Sequence, residues 1–417
     1  MKKLNIKKKP IFFHNRDFKT ILIRVYFPFK KDREYAKMDL LPIMLNHFNN
    51  KYPTEEEFLI EKQKLFIISS MCNYTSIGDL KFFTFDFSIP TKEVLNSDLY
   101  EKQFNFFRNV IYNPKIMNNA FYNNELDREK ENLRIGIEKW FKMPNDYASI
   151  KSKEYVDDTG LLSDNIFSNI DQIDKVDGKN LYNYYLDKIY NNNPLVYIMG
   201  DVDKDLFISL AEKYLYNNNS CEKVINYEPY NYLLPESKIN DITIDSDFNN
   251  SVVIYYYKVK DMTSDDEIYL YTINQLLSSF SSRLLDKELR DKNDLVYSNY
   301  SIYNPEFGYL KILASINKNN IDLVKKSIES VINSLQNSSF INPLLQKIKD
   351  RFRIDLIKAL DSNKLIFGNK IVKSMKTDLT DQEVYDRLCK VTADDISSFM
   401  DRLILDTIYY LKEGEHE

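Results

Sequence analysis

The pattern of apolar and polar residues in the first half of the chain predicts an alternation of strands and helices. Thr54 is followed at the capping-box spacing by Glu57, which predicts that a helix begins at this point. The other elements predicted in this half are strand 20–27, helix 35–49, paired strands 65–74 and 79–88, helices 99–111, 118–141, 147–157 and 181–189, and a closing strand 195–199.

The second half repeats the order of strand, helix, two strands and helix. Its predicted elements are strand 251–259, a long helix 265–289, paired strands 296–303 and 309–316, helices 321–335, 343–365, 381–390 and 393–403, and a closing strand 406–411. The repeated order indicates an internal duplication. We therefore predict an α+β fold of two homologous domains, residues 1–205 and 206–417. Each is expected to have a mostly antiparallel sheet with helices on one face.

Composition narrows the class of protein. The 417 residues are 43% hydrophobic and 29% charged with a net charge of −5, typical of a folded globular chain. Neither a basic arm nor a Gly-rich phosphate loop occurs, so nucleic acid and nucleotides are not expected partners. The basic N-terminus lacks the apolar core of a signal peptide, and no apolar run is long enough to span a membrane. Three widely spaced cysteines, Cys72, Cys221 and Cys389, favour the reducing cytoplasm.

Residues 277–303 combine an amphipathic helix, a polar turn and a strand that opens on tyrosine. Arg290 and Tyr297 lie on either side of that turn, an arrangement that can direct a guanidinium and a phenol toward one point. Such a pair suits a peptide carbonyl or the negative charge that develops on it. Taken alone, the two residues are better explained as a cation at a helix C-terminus and a buried structural tyrosine of a strand.

The same stretch resembles the second domain of the insulinase-like (M16, pitrilysin-type) zinc peptidases, where a helix precedes R-x-K-x-G-L-x-Y and two strands. Here the motif reads Arg290-Asp-Lys-Asn-Asp-Leu-Val-Tyr297, with Asp294 in the place of glycine. The family's Gly-rich loop before the helix has become Ser278-Ser-Phe-Ser-Ser-Arg-Leu284. Val110-Ile-Tyr-Asn-Pro114 and Gly200-Asp-Val-Asp203 resemble further family markers. The resemblance spans nearly the whole chain and implies the family's duplicated insulinase/LuxS-like metallopeptidase-type fold.

Active members of this family carry an HxxEH motif on the first long helix, with two zinc ligands and a general base. Aligning Lys51-Tyr-Pro-Thr54 with the family's K-x-x-T step places this motif on residues 40–44. The ligand positions are then Leu40 and Met44, and the base position is Ile43. All three are apolar, as expected of positions absorbed into an ordinary core.

The third zinc ligand of the family is a glutamate on a later helix, with a supporting glutamate seven residues before it. The register set by Pro144-Asn-Asp146 keeps the supporting residue as Glu129 and replaces the ligand with Gly136. With all ligand positions lost, the resemblance implies a zinc-free chain that holds no metal itself.

One segment imitates the lost motif. His47, Asn50 and Lys51 have the spacing of H, E and H, but Asn50 is a poor base and Lys51 would repel a cation. We interpret His47 as part of a solvent-facing helix end. Only two other histidines, His14 and His416, occur, and neither is close in sequence.

The first hypothesis for function follows from the family's bacterial two-chain form, in which a zinc-free subunit faces a zinc-bearing one. In this hypothesis the chain is the non-catalytic subunit of a heterodimeric zinc endopeptidase that cleaves small or unfolded peptides, such as leader or signalling peptides. The HxxEH-bearing partner would supply the zinc, while Arg290 and Tyr297 would bind substrate.

Two alternatives belong to other classes. The chain could be a zinc-free peptide-binding or scaffolding protein without peptidase activity. In that connection, it is similar to zinc-free family members linked to translation-factor modification in Gram-positive bacteria. A zinc-independent enzyme is the third reading, but the sequence has no evident Ser/His/Asp or Cys/His grouping.

Overall fold

The computed structural model describes residues 1–94, 98–157, 159–163, 165–217, 222–278, 283–377 and 379–414. Cys221, His416 and the loop residues 279–282 discussed above lie outside this part of the chain.

Strands occur in both halves of the chain and most of them belong to two five-stranded sheets. They are β1 (Lys2–Ile6), β2 (Ile11–His14), β3 (Thr20–Lys30), β4 (Ser69–Ile77), β5 (Leu80–Pro90), β6 (Ile116–Met117), β7 (Ala120–Phe121), β8 (Leu195–Gly200), β9 (Lys223–Tyr227), β10 (Asn240–Asp245), β11 (Ser251–Val259), β12 (Val296–Asn304), β13 (Tyr309–Ile316) and β14 (Leu403–Lys412).

Helices connect and cover these strands. They are α1 (Tyr35–Asn46), α2 (Glu55–Lys64), α3 (Asp98–Tyr112), α4 (Asn123–Phe141), α5 (Pro144–Lys151), α6 (Gln172–Lys175), α7 (Gly178–Tyr185), α8 (Lys204–Tyr214), α9 (Glu267–Ser278), α10 (Leu284–Asp286), α11 (Ile321–Ser334), α12 (Ser338–Leu360), α13 (Asn363–Lys376), α14 (Asp381–Lys390) and α15 (Ala393–Met400). Short 3-10 turns span Ser152–Tyr155, Ile166–Ser168, Ser264–Asp266 and Lys318–Asn320, and π-helical turns span Leu186–Tyr190 and Lys287–Asp291.

The two five-stranded sheets have the same topology. The first has the order β2-β8-β3-β5-β4 and the second the order β10-β14-β11-β13-β12. In each sheet the first two strands are parallel and every other neighbouring pair is antiparallel. The α+β fold and the predicted internal duplication are therefore confirmed.

The chain forms two compact units, each of which draws segments from both halves of the sequence. Unit 1 comprises Met1–Gly136, Asn165–Pro229 and Leu360–Thr377, and unit 2 comprises Ile137–Asp164, Tyr230–Ala359 and Asp378–Glu417. The predicted boundary between the two homologous domains, at residues 205/206, refers to the sequence repeat and stays a prediction. Unit 1 therefore contains α13 from the second half of the sequence, and unit 2 contains α5 from the first half.

In each unit the helix-covered face of the sheet carries a large apolar core. In unit 2 this core joins alternate residues of β11 and β13, such as Tyr255 and Ile312, to apolar residues of α9, α11 and α15. The opposite face holds a smaller cluster that includes Tyr256, Tyr309 and Ala148 of α5. α13 covers the corresponding face of unit 1. Helices therefore lie on both faces, although unequally, because each half contributes one helix to the opposite unit.

The strands predicted in the middle of each half are confirmed, with ends that differ by a few residues. The capping box of Thr54 and Glu57 is also present at the start of α2. β2 and β10, which pair in parallel with β8 and β14, were not predicted.

Three predicted helices cross an observed helix boundary. Helix 265–289 does not continue through Arg283, whose φ of +48° is left-handed and therefore incompatible with a continuing α-helix. Helix 118–141 begins only at Asn123, because Asn118 and Asn119 have positive φ and turn the hairpin between β6 and β7. Predicted helix 343–365 begins earlier, at Ser338, and ends at Leu360, and Ser362 then caps the separate helix α13.

Candidate functional site

Arg290 and Tyr297 lie at the two ends of a tightly bonded turn in unit 2. The turn is closed by hydrogen bonds from Asp294 N to Arg290 O (3.0 Å) and from Leu295 N to Leu289 O (2.7 Å). Asp294, which stands where the resemblance expects glycine, has a φ of +47°. This is the left-handed conformation that glycine adopts most readily, so the turn keeps the geometry that a glycine would favour.

Apolar side chains anchor both ends of this turn. Leu285 and Leu289 on the helical side are fully buried, and Leu295 and Val296 on the strand side are nearly so. All four belong to the helix-covered core of unit 2. Because the anchors are buried, the backbone that carries Arg290 is held in place by the core.

Polar contacts fasten the same segment to its own helical turn and to β12. Asp286 accepts hydrogen bonds from Arg283 Nε at 3.0 Å and from Asn299 Nδ2 at 2.9 Å. On β12, Ser301 N donates to Ser278 Oγ at 2.7 Å. Sequence analysis did not select Asp286, although its spacing of three residues from Arg283 is the spacing of a helical ion pair.

Tyr297 is the extra residue of a β-bulge on β12. The pairing with β13 runs from Val296 opposite Ile316 directly to Ser298 opposite Ser315, which leaves Tyr297 without an opposed partner. β12 is also the edge strand of its sheet. Bulges redirect a side chain away from the regular alternation of a strand, and this one sits directly beside the predicted functional turn.

Both predicted side chains are exposed. Tyr297 keeps 60% of its accessible surface, and Arg290 is also exposed. Within the described residues, neither side chain forms a hydrogen bond or an ion pair. The interpretation of Tyr297 as a buried structural tyrosine is therefore wrong. The role of the pair in binding substrate stays a prediction.

The degenerate zinc-motif positions lie on α1 in unit 1. Leu40 and Met44 are buried in the core, and Ile43 is half-buried. The helix is fixed to the edge strand β4 by two hydrogen bonds between the Asn46 amide and the backbone of Cys72, from Nδ2 to O (2.9 Å) and from N to Oδ1 (2.5 Å). These positions therefore serve packing, while their equivalence to HxxEH stays a prediction.

On the later helix, α4, the predicted supporting glutamate already has hydrogen-bond partners. Glu129 of α4 accepts from Arg128 Nη2 at 2.9 Å and from Asn132 Nδ2 at 3.0 Å, so its carboxylate is engaged by its own helix. Gly136 has open space where a Cβ would lie. Close packing therefore does not require a glycine at position 136.

Across the described ranges, no group of three or more His, Cys, Asp or Glu side chains is placed to hold a metal ion. His47 follows the last residue of α1 and is half exposed, with Nδ1 3.5 Å from Glu55 Oε1. None of the helices in the described part of the chain is long and apolar enough to cross a membrane.

A duplicated α+β fold, an apolar first long helix and an Arg/Tyr turn in the second half are the features that the resemblance to zinc-free insulinase-like proteins leads us to expect. Residues 175–351, which include this turn, match the family model of the peptidase M16 inactive domain. This match supports the resemblance of the chain to the inactive members of the M16 family.

Particular relatives agree with this placement. The chain is 21% identical over 416 residues to the probable inactive metalloprotease YmfF of Bacillus subtilis (strain 168), covering 95% of this chain and 94% of the relative. Its fold matches a conserved protein from Enterococcus faecalis V583 with a TM-score of 0.89 at 18% identity, over 100% and 99% of the two chains. It also matches a peptidase M16 inactive domain from Pseudomonas fluorescens with a TM-score of 0.71 at 15% identity, over 100% and 98%. At these identities the structural matches establish the fold alone.

Proposed function

We propose that this protein is the non-catalytic subunit of a heterodimeric insulinase-like zinc endopeptidase. The partner would be an HxxEH-bearing chain of the same family, which supplies the zinc ion, the attacking water and the general base. The present chain contributes to substrate binding. The substrates are small or unfolded peptides, and leader or signalling peptides are the classes we expect.

The observation that carries the proposal is a contrast within one chain. At the positions of the degenerate zinc motif on α1, Leu40 and Met44 are buried and serve the core. At the predicted substrate-binding turn, Arg290 and Tyr297 are exposed and have no internal partner among the described residues. An exposed arginine and tyrosine without internal partners contribute little to folding, so the turn is best explained by an external ligand.

The two side chains have complementary roles. The planar guanidinium of Arg290 binds a substrate carbonyl or carboxylate, where it can make two parallel hydrogen bonds. The phenol of Tyr297 donates a hydrogen bond to the oxygen that becomes negative during attack at the partner's zinc. The anchored turn supports this use, because a rigid scaffold limits the entropy lost on binding.

Copurification from the native host at native expression tests the partnership. The tagged protein is isolated, the proteins bound to it are identified by mass spectrometry, and zinc is counted per complex. An HxxEH chain at one-to-one stoichiometry with one zinc ion per pair is the expected result. Recovery of a zinc-free monomer or homodimer without such a partner would contradict the proposal and favour a peptide-binding scaffold.

A further inference from the structure

Lys311 is a buried lysine without an acidic contact partner among the residues that the structure describes. It lies on β13 opposite Tyr256 on one side and Ile302 on the other, and only 7% of its surface is exposed. Its side chain faces away from the main helical core of unit 2, toward α5. Its amine lies 3.4 Å from Ser149 Oγ and 5.6 Å from the centre of the Tyr300 ring.

The helical segment that covers Lys311 is polar on the side facing the sheet. Ser149 Oγ lies 3.4 Å from the Tyr300 hydroxyl, and Ser152 Oγ lies 2.9 Å from the Tyr256 hydroxyl. Asn145 Nδ2 donates to Ser298 Oγ at 3.3 Å, while the buried Oδ1 atom of Asn145 has no hydrogen-bond partner in the described ranges. The side chains around the Lys311 amine therefore include hydroxyl and amide groups.

A second lysine makes this region electropositive. Lys153, half-buried at the end of the same helical segment, lowers the pKa of Lys311 through like-charge repulsion. Burial is the larger cause, and together they lower the Lys311 pKa to about 8, so the amine is still mostly charged at neutral pH. Asp146 acts in the opposite direction, but neither lysine is within ion-pair distance of a carboxylate in the described part of the chain.

This arrangement is unfavourable for the isolated chain. A buried ammonium without a counter-ion is destabilising relative to one that is paired. An apolar residue at 311 would remove the penalty, since Tyr309 and Leu313, which share this face of β13, are buried in an apolar cluster. An oxyanion placed beside Lys311 would supply the missing charge, and the hydroxyls of Ser149 and Tyr300 can donate to it.

We propose that Lys311, Lys153, Ser149 and Tyr300 form a binding site for an oxyanion, either a phosphate group or a carboxylate. Lys311 is the buried charge partner, Lys153 is the second cation, and the hydroxyls orient the bound group. Access is from the side of β12, where Tyr300 is half-buried and Ser298 is exposed. The site does not involve Arg290 or Tyr297 and does not depend on a peptidase partner.

Thermal unfolding of the full chain at constant ionic strength tests the site with two probes. The first is inorganic phosphate, titrated against a matched concentration of sodium chloride. The second is a short peptide with a free C-terminal carboxylate, compared with the same peptide as its C-terminal amide. Ligands that bind only the folded state raise the Tm in a saturable way. A response to phosphate identifies the phosphate source, and a response to the free acid but not the amide identifies the carboxylate source.

Lys311→Met and Lys153→Met are the test variants. Lys311→Met should abolish the Tm response, and Lys153→Met should weaken binding by about tenfold. Lys151→Met is the matched control, because its amine already pairs at 2.9 Å with Glu154 in the 3-10 turn that follows α5. Since Lys311→Met removes an unpaired buried charge, the variant is expected to fold. The proposal is overturned if neither probe gives a saturable shift, or if Lys311→Met responds like the unmodified protein.

Discussion

Lys258 and Asp406 form an ion pair in the interior of unit 2, with Nζ and Oδ2 3.0 Å apart and only 4% and 1% of the two side chains exposed. Asp406 also accepts hydrogen bonds from Glu236 N at 2.8 Å and from Thr407 Oγ1 at 2.7 Å. The carboxylate therefore joins β14 to β11 and to the segment before β10. A charge so placed depends on every one of these partners.

Lys258→Met should destabilise the protein strongly, because it leaves the Asp406 carboxylate buried without its cation. The expected loss in the free energy of unfolding is about 3–5 kcal/mol, measured by urea denaturation. Adding Asp406→Asn should restore part of the loss, since the amide oxygen can still accept from Glu236. Lys325→Met is the control: Lys325 pairs with Asp241 at 3.6 Å on the surface and should change stability by less than about 1 kcal/mol. Equal losses in the two single variants would contradict the assignment.

The turn that carries Arg290 should become more stable with glycine at position 294. Asp294→Gly removes the Cβ from a left-handed residue and should raise the free energy of unfolding by about 0.5–1 kcal/mol. Lys287→Gly is the opposite control, because Lys287 has a right-handed helical φ of −60° and should lose a similar amount. The urea unfolding midpoints of both variants, compared with that of the original protein, test this prediction. A loss at both positions would show that the side chain of Asp294 has a role of its own.

The strands that form the centre of both sheets could be predicted from sequence because burial decides their pattern. β11 was predicted at its observed ends, and all nine of its residues are buried. β10 was missed because its sequence, NDITID, alternates between half-buried and exposed positions with acidic residues. It is a strand because it pairs with β14, more than 150 residues later, and such long-range pairing has no local signature.

The candidate site shows a similar division. The helix-to-strand turn of Arg290 and Tyr297 followed from the spacing and the family resemblance. The bulge at Tyr297 and the left-handed Asp294 did not, because both depend on how the edge strand meets its neighbour. The sequence did not predict that Lys311 is buried, since a single lysine in a predicted strand usually faces solvent. The apolar residues on both sides of it are the feature that could have identified it.

Asp39 should make the stability of unit 1 depend on pH. Its carboxylate on α1 accepts a hydrogen bond from Tyr74 OH at 3.0 Å, and burial raises its pKa to about 6 although Tyr74 and Lys81 act to lower it. The folded state therefore binds the proton more tightly than the unfolded state. Stability from this group is greatest below about pH 4, falls as the pH rises to about 6, and is constant above that.

Asp39→Asn tests this dependence. The variant should lose most of the slope between about pH 4 and 6, and it should be more stable than the original protein at pH 7 by about 1–2 kcal/mol. Asp127→Asn, on the exposed side of α4, should leave the slope in place. The free energy of unfolding, measured in urea across this pH range, distinguishes the variants. A slope that survives in Asp39→Asn would assign the pH dependence to another group.

Arg290 and Tyr297 should matter for activity and hardly at all for stability. In the reconstituted complex with the zinc-bearing partner, Arg290→Ala and Tyr297→Phe should each lower kcat/KM for peptide cleavage by about 10²-fold, as for loss of a donor to a developing charge. The Tm of the isolated chain should change little, because both side chains are exposed and have no partner among the described residues. The Tyr297 variant isolates the hydroxyl, since the ring is kept.

Arg387→Ala provides the matched control for a general effect of removing a surface cation. Its guanidinium pairs with Asp265 at 2.7 Å on the surface of the same unit, and it lies outside the predicted turn. This variant should leave kcat/KM unchanged. If all three variants cleave peptides at the original rate, the exposed turn does not bind substrate. If all three variants lose activity and also no longer bind the partner chain, the defect lies in assembly of the complex. Selective loss in the Arg290 and Tyr297 variants, with the complex intact, would place the pair at the substrate.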